Sequence, residues 1–260
     1  MSKIVLLWSY SYRDIERIVR LRTGKLMRVD PTDYLQALIY YFGTFESHCM
    51  FQLKKLVKEG DVVVDIGANI GFYSIVLSDL VGEAGKVISF EPESRNYRKL
   101  LENLELNNIS NVYAHRLGLG EREETKRIHR PPGGNLGSYT ISDNKLGIDL
   151  SVRQEIEVTT LDRVAQKLGL DRLDFVKMDI EGYEAKAIEG MTHCLKKFRP
   201  ILQLEINSVA LRKFGTEPTH LVSRLRDLNY RGYIVSGRKM IEIGNGREII
   251  FEECLFFPQS

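Results

Sequence analysis

An acid followed by glycines forms the most informative stretch of this chain. In VVVDIGANIG, Asp65 comes directly after three valines, and Gly67 and Gly71 lie in the loop that follows. Ligands of open parallel sheets bind beyond the carboxyl ends of the strands. Glycines let the backbone approach such a ligand closely and turn sharply into a helix. The sequence therefore predicts a ligand site toward which the Asp65 carboxylate projects.

The spacing of this loop favours one class of ligand over another. Dinucleotide-binding loops follow G-x-G-x-x-G and leave a helix N-terminus open to a pyrophosphate, whereas this loop reads D-x-G-x-x-x-G. An acid would repel a pyrophosphate at ~4 Å by roughly 1–4 kcal/mol, depending on the local dielectric. The same acid suits a ligand that presents an ammonium or sulfonium and carries no phosphate. S-adenosylmethionine is such a ligand.

A second acid supports this interpretation. Glu91 ends the next predicted strand, KVISFE, and lies 20 residues after Gly71. At about that spacing an acid reaches the ribose hydroxyls of a bound nucleoside. A carboxylate can accept hydrogen bonds from two hydroxyls at once. Without Glu91, a glycine-rich turn beside a coincidental acid would remain a serious alternative.

The order of elements predicts how these residues are positioned. Strand-like runs and amphipathic helices alternate from residue 62 onward, with Ser94 as the expected cap of the helix 94–106. Such alternation predicts an α/β fold with a doubly wound, mostly parallel sheet, and the C-terminal strands predict an antiparallel close. Helical spacing at 33–41 and 48–58 predicts an N-terminal helical cap. We expect a helical extension at 1–42 and one main domain at 43–260.

Composition limits the classes of function. The 260-residue chain has a formal net charge of +2, which gives no bulk attraction to nucleic acid or anionic membranes. No apolar run is long enough for a transmembrane helix, and the N-terminus lacks the features of a signal peptide. Cys49, Cys194 and Cys254 are widely spaced, so neither a zinc site nor a disulfide framework is expected. We predict a cytoplasmic protein.

Several motifs together resemble the FkbM family of S-adenosylmethionine-dependent methyltransferases. They are VVVDIGANIGFYSI, FEPESRNYRKLLENLELN, NLGSYTIS, VTTLDRV and LDFVKMDIEGYEAKAIEGM, and the resemblance runs over about residues 43–207. It implies the seven-stranded, Rossmann-like class I methyltransferase fold, with S-adenosylmethionine as cofactor. It also implies methyl transfer, commonly to a hydroxyl oxygen of a sugar, a lipid or a small metabolite. Matched to the family motifs, the predicted cofactor-binding residues are Glu46, Asp65, Gly67, Ala68, Asn69, Gly71, Phe72, Glu91, Pro92 and Asp179.

Four residues near the ends of the fourth and fifth strands are predicted to carry the chemistry. They are Lys177, Asp179, Glu181 and Glu205. A sulfonium methyl is already activated, so the protein mainly positions the acceptor and takes up its proton. Asp179 and Glu181 could each hold the cofactor's ammonium or act as the base, and Glu181 could instead cap a helix. Lys177 lies on the same strand face as Asp179. We expect the two to form an ion pair, and we do not expect Lys177 to act as the catalytic base.

Two further features leave alternatives open. Asp179, Glu205 and Asn207 form an all-oxygen set that suits Mg²⁺, by analogy with catechol-type methyltransferases, and activity that survives EDTA would exclude it. A divalent metal is therefore a disfavoured alternative, and no metal ligand is assigned. The segment PPGGNLGSYTIS, with Asn135, Ser138 and Tyr139, is either a wall of the pocket or a surface hairpin.

The rival functions fit less well. A nucleic-acid methyltransferase could use the basic residues at 13–28 and 122–130, but acids interleave in both stretches. The NPPY-type tetrapeptide of amino-methylating enzymes is also absent, because the fourth strand ends in DIEG. A non-catalytic cofactor-binding module and a nicotinamide oxidoreductase are the remaining alternatives. We expect an O-methyltransferase that acts on a small-molecule, glycan or lipid acceptor.

Overall fold

The computed structural model describes residues 16–129, 140–141, 153–244 and 249–259. The strands are β1 (Arg17–Arg20), β2 (Leu26–Val29), β3 (Val62–Ile66), β4 (Lys86–Phe90), β5 (Val112–His115), β6 (Gly118–Leu119), β7 (Glu124–His129), β8 (Thr140–Ile141), β9 (Arg153–Thr159), β10 (Phe175–Met178), β11 (Ile201–Asn207), β12 (Tyr230–Ser236), β13 (Lys239–Glu242) and β14 (Phe251–Pro258). The helices are α1 (Tyr34–Phe42), α2 (Ser47–Leu56), α3 (Phe72–Val81), α4 (Ser94–Leu106), α5 (Leu161–Lys167), α6 (Glu184–Glu189), α7 (Thr192–Phe198), α8 (Ser208–Lys213) and α9 (Pro218–Asp227).

An eight-stranded sheet forms the centre of the fold, in the order β13-β12-β14-β11-β10-β3-β4-β5. Neighbouring strands from β11 to β5 are parallel, and β14 enters antiparallel between β11 and β12. This confirms the predicted doubly wound, mostly parallel sheet with an antiparallel close. The edge strand β13 adds an eighth strand to the expected seven.

The two faces of this sheet bury different side chains, because successive residues of a strand point to opposite faces. One face packs under α5, α6, α7 and α9 and is apolar, with Val64, Val176 and Leu204 fully buried. The other face packs under α2 and α3 and buries Val63 and Phe175 near the amino ends of their strands. Its residues nearer the carboxyl ends are polar, and one of them, Lys177, lines the candidate site.

The N-terminal region contains a β-hairpin where helix was expected. Strands β1 and β2 pair antiparallel, and Gly24 turns between them at φ +91°. Met27 and Val29 alternate with more exposed neighbours and are fully buried, which is strand periodicity. The side-chain amides of Asn103 on α4 and of Asn107 at its C-cap form hydrogen bonds with the backbone of β2. The helical expectation is wrong for residues 17–29 and right for α1 and α2.

A smaller sheet, in the order β6-β9-β7-β8, stands beside the central one. In this sheet, β7 pairs antiparallel with the two-residue strand β8. Most of the segment PPGGNLGSYTIS, including Asn135, Ser138 and Tyr139, lies outside the described residues.

Two further expectations concern a helix cap and membrane helices. Glu93, not Ser94, caps α4, because its Oε2 accepts from the backbone N of Asn96 at 2.7 Å. Ser94 is instead the first residue of the helix. Among the described residues, no helix combines the length and the apolar character needed to span a bilayer.

Candidate active site

A cavity of about 1210 Å³, open mouth included, lies beyond the carboxyl ends of β3, β4 and β10. The loops that leave these strands form its floor, and Ile128, Ile156 and Val158 of the smaller sheet form one apolar wall. Ligands of doubly wound sheets bind at this edge. The cavity is lined by nine predicted site residues: Gly67, Ala68, Asn69, Phe72, Glu91, Pro92, Lys177, Asp179 and Glu181.

The glycine loop after β3 is fixed by close packing. Gly67 has φ +81°, and a Cβ placed there would lie 2.0 Å from the backbone O of Asp179. Gly71 precedes α3 at φ +95°, and its Cβ would lie 2.6 Å from Cδ1 of Leu100. A side chain at Gly67 would collide with the backbone after β10, whereas at Gly71 the positive φ itself would strain any other residue. The glycines therefore bring the loop backbone and the end of β10 to one edge of the cavity.

The Glu91 carboxyl is held by two backbone amides. Its Oε2 accepts from the N of Asn69 at 2.8 Å, and its Oε1 accepts from the N of Glu93 at 3.0 Å. Burial raises the pKa of Glu91 to about 7, although the two amides favour the ionised form. Each oxygen keeps a second lone pair. The carboxyl is thus oriented on the cavity wall and can accept hydrogen bonds from a ligand.

The charges that line the cavity are mostly negative. The described lining residues include one basic residue, Lys177, and four acids, which are Glu91, Glu93, Asp179 and Glu181. Nζ of Lys177 lies 3.4 Å from Oδ2 of Asp179 and 4.4 Å from the ring centroid of Tyr73. Burial by itself lowers the pKa of Lys177, but Asp179 and other nearby acids raise it above its ordinary value. The lysine is held as a cation in an ion pair.

Asp65 occupies a different place from the one its strand-end position predicts. Its carboxylate lies under α3, where Oδ2 accepts from Oγ of Ser74 at 2.6 Å, and it does not line the cavity. It belongs to a polar row that crosses the sheet in register, composed of Ser89, Asp65, Lys177 and Gln203. Burial raises the pKa of Asp65, while Lys177 and the Ser74 hydroxyl oppose that rise. Strand alternation turns this side chain onto the sheet face instead of the crevice.

The loop after β10 presents Glu181 to the cavity in a constrained conformation. Glu181 has φ 56° and Gly182 has φ 101°, both in the left-handed region. Oε1 of Glu184 accepts from the backbone N of Ile180 and of Gly182, each at 3.1 Å. Burial raises the pKa of Glu184 to about 7. Glu184 therefore clamps the residues on both sides of Glu181.

Glu205 lies at the carboxyl end of β11, outside the cavity lining. It pairs in register with Glu253 on β14. Burial, followed by repulsion from Asp179 and Glu253, raises the pKa of Glu205 to about 9. Oδ1 of Asn207 accepts from the backbone N of Val209 and Ala210 and so caps α8. Oδ1 is the atom through which Asn207 would bind Mg²⁺ in the predicted set, and in the structure it is engaged in this helix cap instead.

Sequence reasoning missed a part of the site. Four predicted site residues lie outside the cavity lining: Glu46, Asp65, Gly71 and Glu205. Of these, Glu46 accepts a hydrogen bond from the hydroxyl of Tyr73. Leu117 and Gly118 line the cavity at the end of the third parallel strand, a position that the strand order could have indicated. Ile128, Ile156 and Val158 carried no comparable signal, because their place depends on how the smaller sheet folds.

A family comparison agrees with this geometry. Residues 65–232, more than half of the chain, match the model described as "Methyltransferase FkbM domain". This confirms the resemblance found in the sequence motifs.

Two curated relatives are similar over most of the chain. The methyltransferase sdnD of Sordaria araneosa is 27% identical over 203 residues, which cover 65% of this chain and 76% of that protein. The hexuronic acid methyltransferase AglP of Haloferax volcanii is 25% identical over 170 residues, which cover 65% of this chain and 63% of AglP. The chain thus spans less than two thirds of AglP.

Among solved structures, a putative rRNA methylase from Clostridium thermocellum matches with a TM-score of 0.50 and 12% identity. The match covers 84% of this chain and 99% of that one. At this identity the likeness concerns the fold alone.

Proposed function

Because this chain belongs to the methyltransferase FkbM family and uses S-adenosylmethionine, we propose that it methylates a hydroxyl oxygen of a sugar, a lipid or another small metabolite. The observation that carries the proposal is the acid-lined cavity that joins the glycine loop, Glu91 and Asp179 at one sheet edge. Such a lining repels pyrophosphates and suits a cationic sulfonium ligand.

The residues that line the cavity fit this cofactor. We propose that the fixed Glu91 carboxyl accepts from the ribose hydroxyls and that Asp179 binds the ammonium group. Phe90, Leu119 and Ile156 offer apolar contacts for the adenine. When bound, S-adenosylmethionine supplies an activated methyl group. Asp65 contributes indirectly in this proposal, because it balances the charge of Lys177 from beneath α3.

Glu181 is our proposed base on the acceptor side. It lines the cavity, and the Glu184 clamp holds its backbone in a left-handed conformation, which is typical of functional positions. Lys177 is a poor base because its acid neighbours hold its proton. Glu205 is equally unsuited, because burial and the neighbouring acids raise its pKa and it lies outside the cavity lining. Glu181 would take the hydroxyl proton as the new bond forms.

The charge of the site restricts the acceptor. Four acids and one base line the described part of the cavity, so an uncharged polyol is favoured over a phosphorylated or carboxylated acceptor. The acceptor proposed here therefore differs from the hexuronic acid in the name of AglP. The same charge opposes a nucleic-acid backbone.

Transfer of labelled methyl to an acceptor panel tests the proposal. Neutral sugars and lipid-linked neutral glycans are expected to accept the label on oxygen, with uronic acids and sugar phosphates poorer. Glu181→Gln should lower kcat at least about 100-fold with little change in KM, whereas Glu102→Gln on the outside of α4 should change neither. Label found only on nitrogen, a preference for phosphorylated acceptors, or an unchanged kcat in Glu181→Gln would contradict it.

A further inference from the structure

Three potential metal ligands converge beneath α2, outside the cavity lining. A carboxylate oxygen of Glu46, Sγ of Cys49 and a carboxylate oxygen of Glu253 all lie within 4.8 Å of one another. Cys49 is 1% exposed and Glu253 is 9% exposed. We refer to these three residues as the Glu–Cys–Glu cluster. It is distinct from the predicted Mg²⁺ set of Asp179, Glu205 and Asn207.

Local structure explains how residues so distant in sequence meet. Glu46 is the N-cap of α2 and Cys49 lies three residues later, so both side chains occupy one face of the first helical turn. Glu253 is on β14, paired with Glu205, on the sheet face that α2 covers. The cluster therefore bridges the start of a helix and a strand of the central sheet.

A buried amide beside the cluster has an oxygen without a hydrogen-bond partner. Gln203 is 2% exposed, and its Nε2 donates to Oε2 of Glu253 at 3.3 Å. Its Oε1 is buried and has no hydrogen-bond partner among the described residues. A buried carbonyl oxygen without a partner costs about 1–3 kcal/mol. Rotation of the terminal amide would exchange Nε2 and Oε1 and direct the oxygen toward a cation bound by Glu253, which would then be its partner.

We propose that the Glu–Cys–Glu cluster binds a divalent cation of the zinc class. Zn²⁺ is bound by cysteine sulfur and carboxylate oxygen, whereas Mg²⁺ and Ca²⁺ take oxygen ligands. Cys49 and the two carboxylates would be the protein ligands, with the Gln203 carbonyl available nearby. The Tyr73 hydroxyl, which donates to Glu46, would orient that ligand from the outer shell.

The proposed role of the cation is to fix α2 against β14. None of the three ligands lines the cavity, so this site does not depend on the proposed acceptor or on methyl transfer. Tyr73 lines the cavity and also contacts Glu46. Metal binding would therefore hold one wall of the cofactor site in place.

Cobalt titration of the metal-stripped full-length protein tests the site. Co²⁺ should bind at one equivalent and produce a thiolate-to-cobalt charge-transfer band, and Zn²⁺ should displace it. Cys49→Ala should abolish the band and weaken Zn²⁺ binding at least about 100-fold, and Tyr73→Phe should weaken it about 10- to 100-fold. Cys194→Ala, at a buried cysteine on the opposite face of the sheet, is the matched control and should keep the band.

The wild-type protein alone can overturn the proposal, even if Cys49→Ala does not fold. The absence of a charge-transfer band, or of a rise in Tm with added Zn²⁺, would show that the cluster holds no such cation. A band of full intensity in folded Cys49→Ala would place the metal elsewhere.

Discussion

The two faces of the central sheet are built from the same strands and differ in what they bury. On one face, Val64, Val176 and Leu204 continue an apolar core to the carboxyl ends of the strands. On the other face, the residues next to them are Asp65, Lys177 and Gln203. Apart from residues that also line the cavity, such as Phe90, the apolar residues of this face can be explained by stability alone. The polar face carries buried charges, which cost free energy of desolvation and are a poor means of stabilising a fold. Their presence therefore indicates a functional site.

Position along the strand separates the two roles further. The polar face is apolar at Val63 and Phe175, near the amino ends, and becomes polar toward the edge where the cavity lies. Each strand thus anchors the sheet with its first residues and serves the site with its last. This division predicts that substitutions on the two faces have different effects on stability and on ligand binding.

Replacing Lys177 should have the largest effect. Lys177→Met would leave the buried carboxylate of Asp65 and that of Asp179 without their cation, which typically costs about 3–5 kcal/mol. Urea unfolding followed by circular dichroism measures the loss. Adding Asp65→Asn should recover a substantial part of it. If Lys177→Met alone lowered the free energy of unfolding by less than about 1 kcal/mol, Lys177 would not be the residue that stabilises the buried carboxylates beside it.

Leu204→Ala tests the opposite face. Leu204 is fully buried, and its truncation should reduce the free energy of unfolding by about 2–5 kcal/mol. Because its side chain points away from the cavity, the affinity for S-adenosylmethionine at a temperature where the variant is folded should change by less than about twofold. A large loss of affinity would remove the distinction between the faces.

The loop after β10, which Glu184 clamps, can be tested through the pH dependence of the free energy of unfolding. The pKa of Glu184 is raised from 4.5 to about 7 when folded, so the folded chain binds this proton more tightly than the unfolded chain. The free energy of unfolding should therefore fall as pH rises from about 4.5 to about 7, by up to about 3 kcal/mol, and then level off. In Glu184→Gln this contribution should disappear, leaving a flatter profile in unfolding measured across that range. An unchanged profile would contradict the raised pKa that we attribute to the burial of Glu184.

Ser89→Ala should have the smallest effect. The Ser89 hydroxyl lies 2.9 Å from that of Ser74, which also donates to Asp65, so one hydrogen bond is lost while the other persists. We expect a cost of about 1 kcal/mol in thermal or urea unfolding, and unchanged cofactor affinity. A cost comparable to that of Lys177→Met would show that the polar row acts as a single cooperative network.

The fold followed largely from the sequence because its signals are local. Valine-rich β3, the glycine loop and the alternation of elements predicted the sheet and its ligand edge. The hairpin at 17–29 was missed because strands of four residues carry little periodicity. The direction of Asp65 was missed because a strand-end position does not tell which face the side chain takes.

The site was predicted less completely because it depends on contacts between distant residues. Gly67 and Glu91 could be found from spacing within one unit of strand, loop and helix. The wall formed by Ile156 and the meeting of Cys49 with Glu253 depend on packing between separate elements, which no local pattern records. The roles of Asp179 and Glu181 in binding and catalysis stay predictions.

Calorimetry tests the central claim, that the polar edge of the sheet binds an adenosyl sulfonium and rejects pyrophosphates, most directly. The wild-type protein should bind S-adenosylmethionine and its demethylated product in the micromolar range, and NAD⁺ should give no measurable heat. Glu91→Ala should weaken both adenosyl ligands at least about 100-fold, since it removes the carboxyl proposed for the ribose, while Glu102→Ala should bind like wild type. Binding of NAD⁺ at comparable affinity, or full affinity for S-adenosylmethionine in folded Glu91→Ala, would contradict the account.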